Sequence, residues 1–180
     1  MNFGKTLRSE ILSAEGVADI VNLTQHPLAR INDSFAFCHH GGWYECDMQT
    51  HALCAGKMKP TEPYAMFNYV ECNFDNLNVN DAENTRLCAT NASLAYKDMW
   101  HCATGYGPEA GPGLLLASAR YASALGVHSA PTVLLEGKEV GHSLTLRQVC
   151  DAYTGPKPKG CSLPTHQLVA RVATGSSCHV

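Results

Sequence analysis

Nine cysteines are spread along the 180 residues, and they restrict what this chain can fold into. No two of them form a CxxC pair, which argues against a zinc ribbon or zinc finger, because those sites use short ligand spacings. Dispersed cysteines in a chain of this size predict a disulfide framework, which requires an oxidising compartment. The disulfide candidates are Cys38, Cys46, Cys54, Cys72, Cys88, Cys102, Cys150 and Cys161.

Sequence alone leaves most of the pairing open, since eight cysteines allow many connectivities. Two local disulfides are reasonable on spacing, Cys72 with Cys88 and Cys150 with Cys161. The ninth cysteine, Cys178, is expected to be the odd one, free in the C-terminal tail. No pairing is predicted for the remaining four, which are Cys38, Cys46, Cys54 and Cys102.

The stretch CHHGGWYECDMQTHALC admits two other interpretations. Thiolate and imidazole are good zinc ligands, so Cys38, His40, Cys46 and Cys54 could form a metal site, although intervals of eight residues are unlike the usual ligand loops. Cys38 and His39 could also form a nucleophile–base pair, but adjacent side chains rarely point at each other. Structural disulfides are the favoured interpretation.

Three N-glycosylation sequons agree with passage through the secretory pathway; they begin at Asn22, Asn32 and Asn91. The N-terminal segment MNFGKTLRSEIL, by contrast, has no apolar core and no small-residue cleavage site, so it is not a signal peptide. We therefore expect the true start of the protein to lie upstream of Met1.

Charge and hydropathy exclude several partners. The net charge is −3, which provides no basic field for nucleic acid. No stretch approaches the roughly 20 apolar residues of a membrane span. We expect no cofactor and no bound metal.

The order of predicted elements indicates an α/β fold. A helix over residues 4–13 precedes a buried strand over 18–24. A short strand over 35–38 is followed by a helical block from about 44 to 106. The pattern after residue 106 predicts a helix over 113–125, then a hairpin and a last amphipathic helix. Asp81, Ser93 and Ser143 are expected helix caps.

A parallel sheet normally begins with a strand before its first helix, and that strand is missing here. The predicted organisation is therefore a domain over residues 1–156 that lacks its first strand and carries an insertion at about 44–106. A loose tail is expected over residues 157–180.

The tripeptide Ala130-Pro131-Thr132 precedes the predicted hairpin and last helix. This order is typical of the thioredoxin fold, in which such a proline is cis, and only X–Pro bonds hold the cis form cheaply. In that fold the backbone beside the proline pairs with substrate peptide. The alternative is an ordinary trans proline at the start of a strand.

The cysteine block resembles the gamma-interferon-inducible lysosomal thiol reductases (GILT). Their signature begins CQHG, continues through an EC pair and ends with a cysteine eight residues later. Here the matching residues are CHHG, Glu45-Cys46 and Cys54. The segments VNLTQHPLARI, YVECNFDN, RLCATN, MWHCATG, APTVLLEGKEV and RQVCDAYTG also resemble the family, so the likeness covers about residues 7–161.

Four departures from the family pattern stand out. His39 replaces the signature Gln, Gln49 replaces an Asn, and one extra residue lies between Gly41 and Cys46. The most serious concerns the family's catalytic CxxC, which follows the first strand at the start of the first helix. There the helix dipole and neighbouring donors lower the thiol pKa. That motif is expected at or just before Met1, so no catalytic residue is assigned within this chain.

The resemblance implies a thioredoxin-like thiol oxidoreductase that reduces disulfides of protein substrates in a lysosomal or secreted setting. Substrate peptide is expected along Ala130, Pro131 and Thr132. Without a vicinal dithiol the 180 residues themselves are expected to be inactive. The alternatives are a non-catalytic peptide-binding scaffold of the same fold and a cytosolic zinc-binding protein with reduced cysteines.

Overall fold

The computed structural model describes residues 3–38, 43–76, 81–141 and 144–162. The chain divides into two compact units. Unit 1 combines the residues up to Val21 with those from Pro131 onward, and unit 2 runs from Asn22 to Ala130. Helices and two small antiparallel sheets make up the described residues, so the predicted mixture of helix and strand is confirmed.

Unit 1 begins with a short helix, α1 (Phe3–Thr6), that continues into a π-helical turn at Leu7–Leu12. Leu7 and Ile11 are buried one turn apart, in agreement with the apolar face that the sequence predicts. The helical segment ends at Leu12 with Ser13 as its C-cap, and Gly16, in the turns that follow, has a left-handed φ of 74°.

The second part of unit 1 contains a hairpin and a helix. Strands β3 (Leu134–Leu135) and β4 (Lys138–Glu139) pair antiparallel across a tight turn. Helix α7 (Leu146–Ala152) starts with a capping box. In that box Thr145 Oγ1 accepts from the backbone N–H of Gln148, and Gln148 Oε1 accepts from the backbone N–H of Thr145.

The residues that follow α7 are held in place up to the turn at Lys159–Ser162. The Cys150–Cys161 disulfide joins α7 to a 3₁₀ turn at Lys159–Ser162. The Gly160 N–H donates to the Glu15 carbonyl at 2.8 Å. A side chain at Gly160 would come within 2.9 Å of that backbone, so the approach requires glycine. Residues 157–162 of the predicted loose tail are thus ordered, and residues 163–180, with Cys178, lie outside the described part.

Unit 2 opens with a two-stranded hairpin. Strands β1 (Ala29–Asn32) and β2 (Phe35–Cys38) pair antiparallel, with Asn32 opposite Phe35. Asp33 in the turn has a φ of 43°, which aspartate tolerates better than most residues. The prediction of a turn at residues 32–34 and a strand at 35–38 is confirmed, while β1 was not predicted.

Helices form the rest of unit 2, as the sequence predicts for residues 44–106. Part of their buried apolar surface forms one cluster, in which Tyr69 and Met99 are the largest side chains. The helices are α2 (Trp43–Met58), α3 (Ala65–Asp75), α4 (Asp81–Asn91), α5 (Tyr96–Thr104) and α6 (Gly111–Ala124).

Two local predictions are wrong. The segment ADIVNLT forms turns and extended coil instead of a buried strand, with backbone bonds from Val17 N–H to Ala14 and from Ile20 N–H to Val17. Its β-branched residues supply strand propensity, but the described residues provide no strand that pairs with it. Ser93 does not cap α5, because its φ of 53° belongs to the preceding turn and Ala95 occupies the N-cap. Ser143 lies outside the described residues, and Thr145 caps α7.

None of the helices in the described ranges is both long and apolar enough to cross a bilayer.

Candidate functional site

All eight candidate cysteines are paired. The structure contains Cys72–Cys88 and Cys150–Cys161, as the sequence spacing suggested. It also resolves the four cysteines whose pairing the sequence left open. These form Cys38–Cys46 and Cys54–Cys102.

Three of the disulfides tie the elements of unit 2 together. Cys54–Cys102 links α2 to α5, and Cys72–Cys88 links α3 to α4. Cys54 and Cys88 are fully buried, which fits a structural role because a buried sulfur is not accessible to an attacking thiolate. Four disulfides indicate that the protein folds in an oxidising, secretory-type compartment.

The third disulfide, Cys38–Cys46, joins the end of β2 to the first turns of α2. The Cys38 N–H donates to Cys46 Sγ at 3.2 Å. Cys38 Sγ lies 3.5 Å from Gln49 Oε1, and Gln49 Nε2 donates to Glu45 Oε1 at 3.3 Å. Cys38 is buried, whereas the Cys46 residue is partly exposed.

This pairing contradicts both alternative interpretations of the cysteine block. Cys38, Cys46 and Cys54 are in disulfides and cannot act as zinc thiolates. Cys38 for the same reason cannot be a nucleophile activated by His39. His39 and His40 lie outside the described residues. Within the described ranges no cluster of three or more His, Cys, Asp or Glu side chains could hold a metal ion.

The predicted peptide-binding segment lies at the start of the β3–β4 hairpin. Ala130 and Pro131 are exposed, and Thr132 is partly buried. The adjacent Val133 is buried, and its carbonyl accepts from the Val140 N–H at 3.0 Å, which extends the hairpin by one bond. The hairpin therefore holds the backbone beside Pro131 in a defined place. The cis isomer of Pro131 and the peptide-binding role stay predictions.

A groove of about 290 Å³ in unit 2 was not anticipated from the sequence. It is lined by residues 23–26, by Gly56 in α2, by Met66 and Phe67 in α3, and by the loop between these helices, which carries Lys59 and Glu62. Gln25 Oε1 is buried there without a hydrogen-bond partner in the described part of the chain. The lining is therefore mixed, with apolar side chains beside the Lys59–Glu62 ion pair, whose Nζ and Oε1 are 2.8 Å apart.

His26 borders this groove and is held by α6. Its Nδ1 lies 3.2 Å from Ser118 Oγ, and its ring lies 4.4 Å from the Tyr121 ring. Partial burial lowers the pKa of the His26 imidazole, because desolvation disfavours the charged form. His26 therefore stays neutral to lower pH than an exposed histidine.

A second histidine, His51, is fully buried in α2. Its Nδ1 donates to the Asp47 carbonyl at 2.8 Å, and its ring lies 5.9 Å from that of Trp100. Its Nε2 has no hydrogen-bond partner among the described residues. Nothing in the one-dimensional pattern separates His51 from the other histidines. Of the two histidines near the hairpin, His128 is exposed and His142 lies outside the described residues.

The three sequon asparagines, Asn22, Asn32 and Asn91, are all exposed, as glycosylation requires. They lie in different local structures. Asn22 is in an extended segment, Asn32 ends β1, and Asn91 ends α4 with its Nδ2 3.6 Å from Cys72 Sγ.

No protein-family model, curated protein or solved structure matches this chain.

Proposed function

We propose that these residues are part of a GILT-like thiol–disulfide oxidoreductase that reduces disulfides of protein substrates in a lysosomal or secreted setting. The main support is the cysteine arrangement. The cysteines of the GILT-like pattern form a complete set of four disulfides, three of them within unit 2, which contains the expected insertion at about residues 44–106. The finer assignment, a thioredoxin-like fold, is part of the proposal.

The chemistry of such a reductase sets clear requirements. One thiolate attacks a substrate disulfide, forms a mixed disulfide and releases one substrate thiol. A second thiol then attacks the mixed disulfide, which leaves an oxidised dithiol on the enzyme and a fully reduced substrate. The two electrons come from the enzyme dithiol, which an external small-molecule thiol must reduce again.

The 180 residues can supply the substrate-binding part of this reaction but not the reacting dithiol. No CxxC pair occurs among the 180 residues, and the eight described cysteines are already oxidised. The proposal therefore needs a dithiol from outside these residues. Within the chain, the segment of Ala130, Pro131 and Thr132, of which the first two are exposed, is where the resemblance places an extended substrate peptide.

An insulin-reduction assay with two proteins tests the proposal. The 180-residue chain should show no turnover above the thiol background. A longer protein that includes the residues encoded in frame upstream of Met1 should reduce insulin, and replacing the first cysteine of its CxxC by serine should abolish the activity. Robust turnover by the 180 residues alone, or an inactive longer protein without a CxxC, would contradict the proposal.

One observation favours a second candidate, a non-catalytic peptide-binding scaffold: the printed sequence lacks a CxxC while retaining the exposed segment at Pro131. A scaffold would bind an extended peptide without forming a mixed disulfide. Fluorescence anisotropy with labelled cysteine-containing and cysteine-free peptides separates the two candidates. Equal affinity for both peptides, with no covalent adduct on a non-reducing gel, supports the scaffold.

A further inference from the structure

The β1–β2 hairpin exposes an aromatic face that carries one of the sequons. Residues opposite each other in an antiparallel pair project to the same side, and the sides alternate along each strand. The register places Asn32 opposite Phe35. The same face carries the next pair, Arg30 and Phe37.

The two faces of the hairpin differ in burial. On the opposite face, Cys38 is buried, Ala29 and Ala36 are partly buried, and Ile31 is 39% exposed. On the face with the sequon, Phe35 is 58% exposed and Phe37 is 40% exposed. Two exposed phenylalanines side by side on a short hairpin leave apolar surface in water, which costs free energy unless another group covers it.

Asn32 lies where an attached sugar can cover that surface. Side chains directly opposite in an antiparallel pair have Cβ atoms roughly 5 Å apart. The turn is fixed, because Arg120 Nη2 on α6 donates to the Asp33 carbonyl at 3.1 Å. A pyranose ring linked to Asn32 therefore begins beside Phe35, and its C–H groups suit the negative face of an aromatic ring.

We propose that Asn32 carries an N-linked glycan whose first N-acetylglucosamine lies over Phe35 and, in part, Phe37. The glycan comes from a lipid-linked oligosaccharide pyrophosphate. Asn32 Nδ2 forms a bond to the anomeric carbon as the carbon–oxygen bond to pyrophosphate breaks, and the nitrogen loses a proton. Ser34 completes the sequon that directs this transfer.

The other sequons provide internal controls. Asn91 ends a helix, and Asn22 lies in a segment without strand pairing in the described residues, so neither has a cross-strand aromatic partner. A glycan at Asn32 is therefore expected to stabilise the fold through Phe35, whereas glycans at the control sites are not.

The test uses the chain secreted from a glycosylating host, with Asn22 and Asn91 replaced by glutamine so that only Asn32 can be modified. Mass spectrometry should show occupancy at Asn32. Trimming by an endoglycosidase that leaves one N-acetylglucosamine should preserve the melting temperature. Complete removal of the glycan by an amidase, which also hydrolyses the Asn32 amide to a carboxylate, should lower it by about 2–4 °C beyond the change that Asn32→Asp causes in the never-glycosylated protein, and increase binding of an apolar dye.

A double-mutant cycle tests whether the stabilisation by the glycan depends on Phe35. In a Phe35→Ala background, the trimmed and fully deglycosylated proteins should melt at the same temperature, apart from the same Asn32→Asp effect. The matched control keeps only Asn91, and there glycan removal should have the same effect with and without Phe35→Ala. An unoccupied Asn32, an unchanged effect in the Phe35→Ala background, or a glycosylated dimer that covers Phe35 with a second copy would overturn the proposal.

Discussion

The two units of this protein bury different kinds of side chain. The cluster in unit 2 consists largely of alanine and cysteine, with Tyr69, Leu94 and Met99 as exceptions. The buried apolar residues of unit 1 are mostly leucine, isoleucine and valine, namely Leu7, Ile11, Val17, Val133, Leu144 and Val149. Three disulfides lie in unit 2 and one lies in unit 1.

This difference suggests how each unit achieves stability. Burying an alanine side chain stabilises the fold by roughly 2 kcal/mol less than burying a leucine side chain, because alanine has three fewer carbon atoms to remove from water. A core of alanines therefore needs another source of stability, and disulfides supply it by restricting the unfolded chain. Unit 2 should depend on its disulfides more than unit 1 does.

The largest effect should come from removing Cys54–Cys102. This disulfide closes the longest loop, with a sequence separation of 48. We expect the paired change Cys54→Ala and Cys102→Ala to lower the free energy of unfolding by about 4 kcal/mol. Urea unfolding followed by circular dichroism measures it. A loss under about 1 kcal/mol would show that the small-residue core is sufficient without this link.

A smaller loss is expected in unit 1. Cys150–Cys161 has a sequence separation of 11, so the paired change Cys150→Ala and Cys161→Ala should cost about 3 kcal/mol. Hydrogen exchange should show the loss concentrated in unit 1, with the helices of unit 2 still protected. If the unit 1 pair costs more than the Cys54–Cys102 pair, the contrast between the units is wrong.

Local bonding at α7 should matter less than either disulfide. Thr145→Ala removes the side-chain acceptor of the capping box and should cost about 1 kcal/mol. Thr145→Ser keeps a hydroxyl and serves as the control, with a much smaller change in the urea midpoint. Equal losses for the two variants would mean that the cap does not stabilise unit 1.

The smallest effect concerns pH and unit 2. Because burial lowers the pKa of His26, the folded state binds its proton less readily than the unfolded state. The contribution of neutral His26 to the free energy of unfolding is fully present above a pH of about 6.5, the unfolded-state pKa. It is lost as the pH falls through the lower pKa of the folded state. His26→Gln should therefore reduce the loss of stability between about pH 7 and about pH 5. An identical pH profile for the variant would contradict this assignment.

Sequence analysis anticipated the features that depend on neighbouring residues. The helical block, the turn at Asn32-Asp33-Ser34 and two short-range disulfides follow from local patterns and spacing. The predicted strand at 18–24 failed because a strand needs a partner, and β propensity does not provide one. The groove beside His26 and the buried His51 were missed, since both arise from contacts between distant segments.

The sequence by itself therefore predicted a disulfide framework and the helical middle of the chain. Only the tertiary structure decided that Cys38 pairs with Cys46 and Cys54 with Cys102. It also decided that Phe35 and Asn32 share one open face of a hairpin. The reason is physical: propensity and spacing act along the chain, whereas sulfur pairing and side-chain burial depend on which elements meet in space.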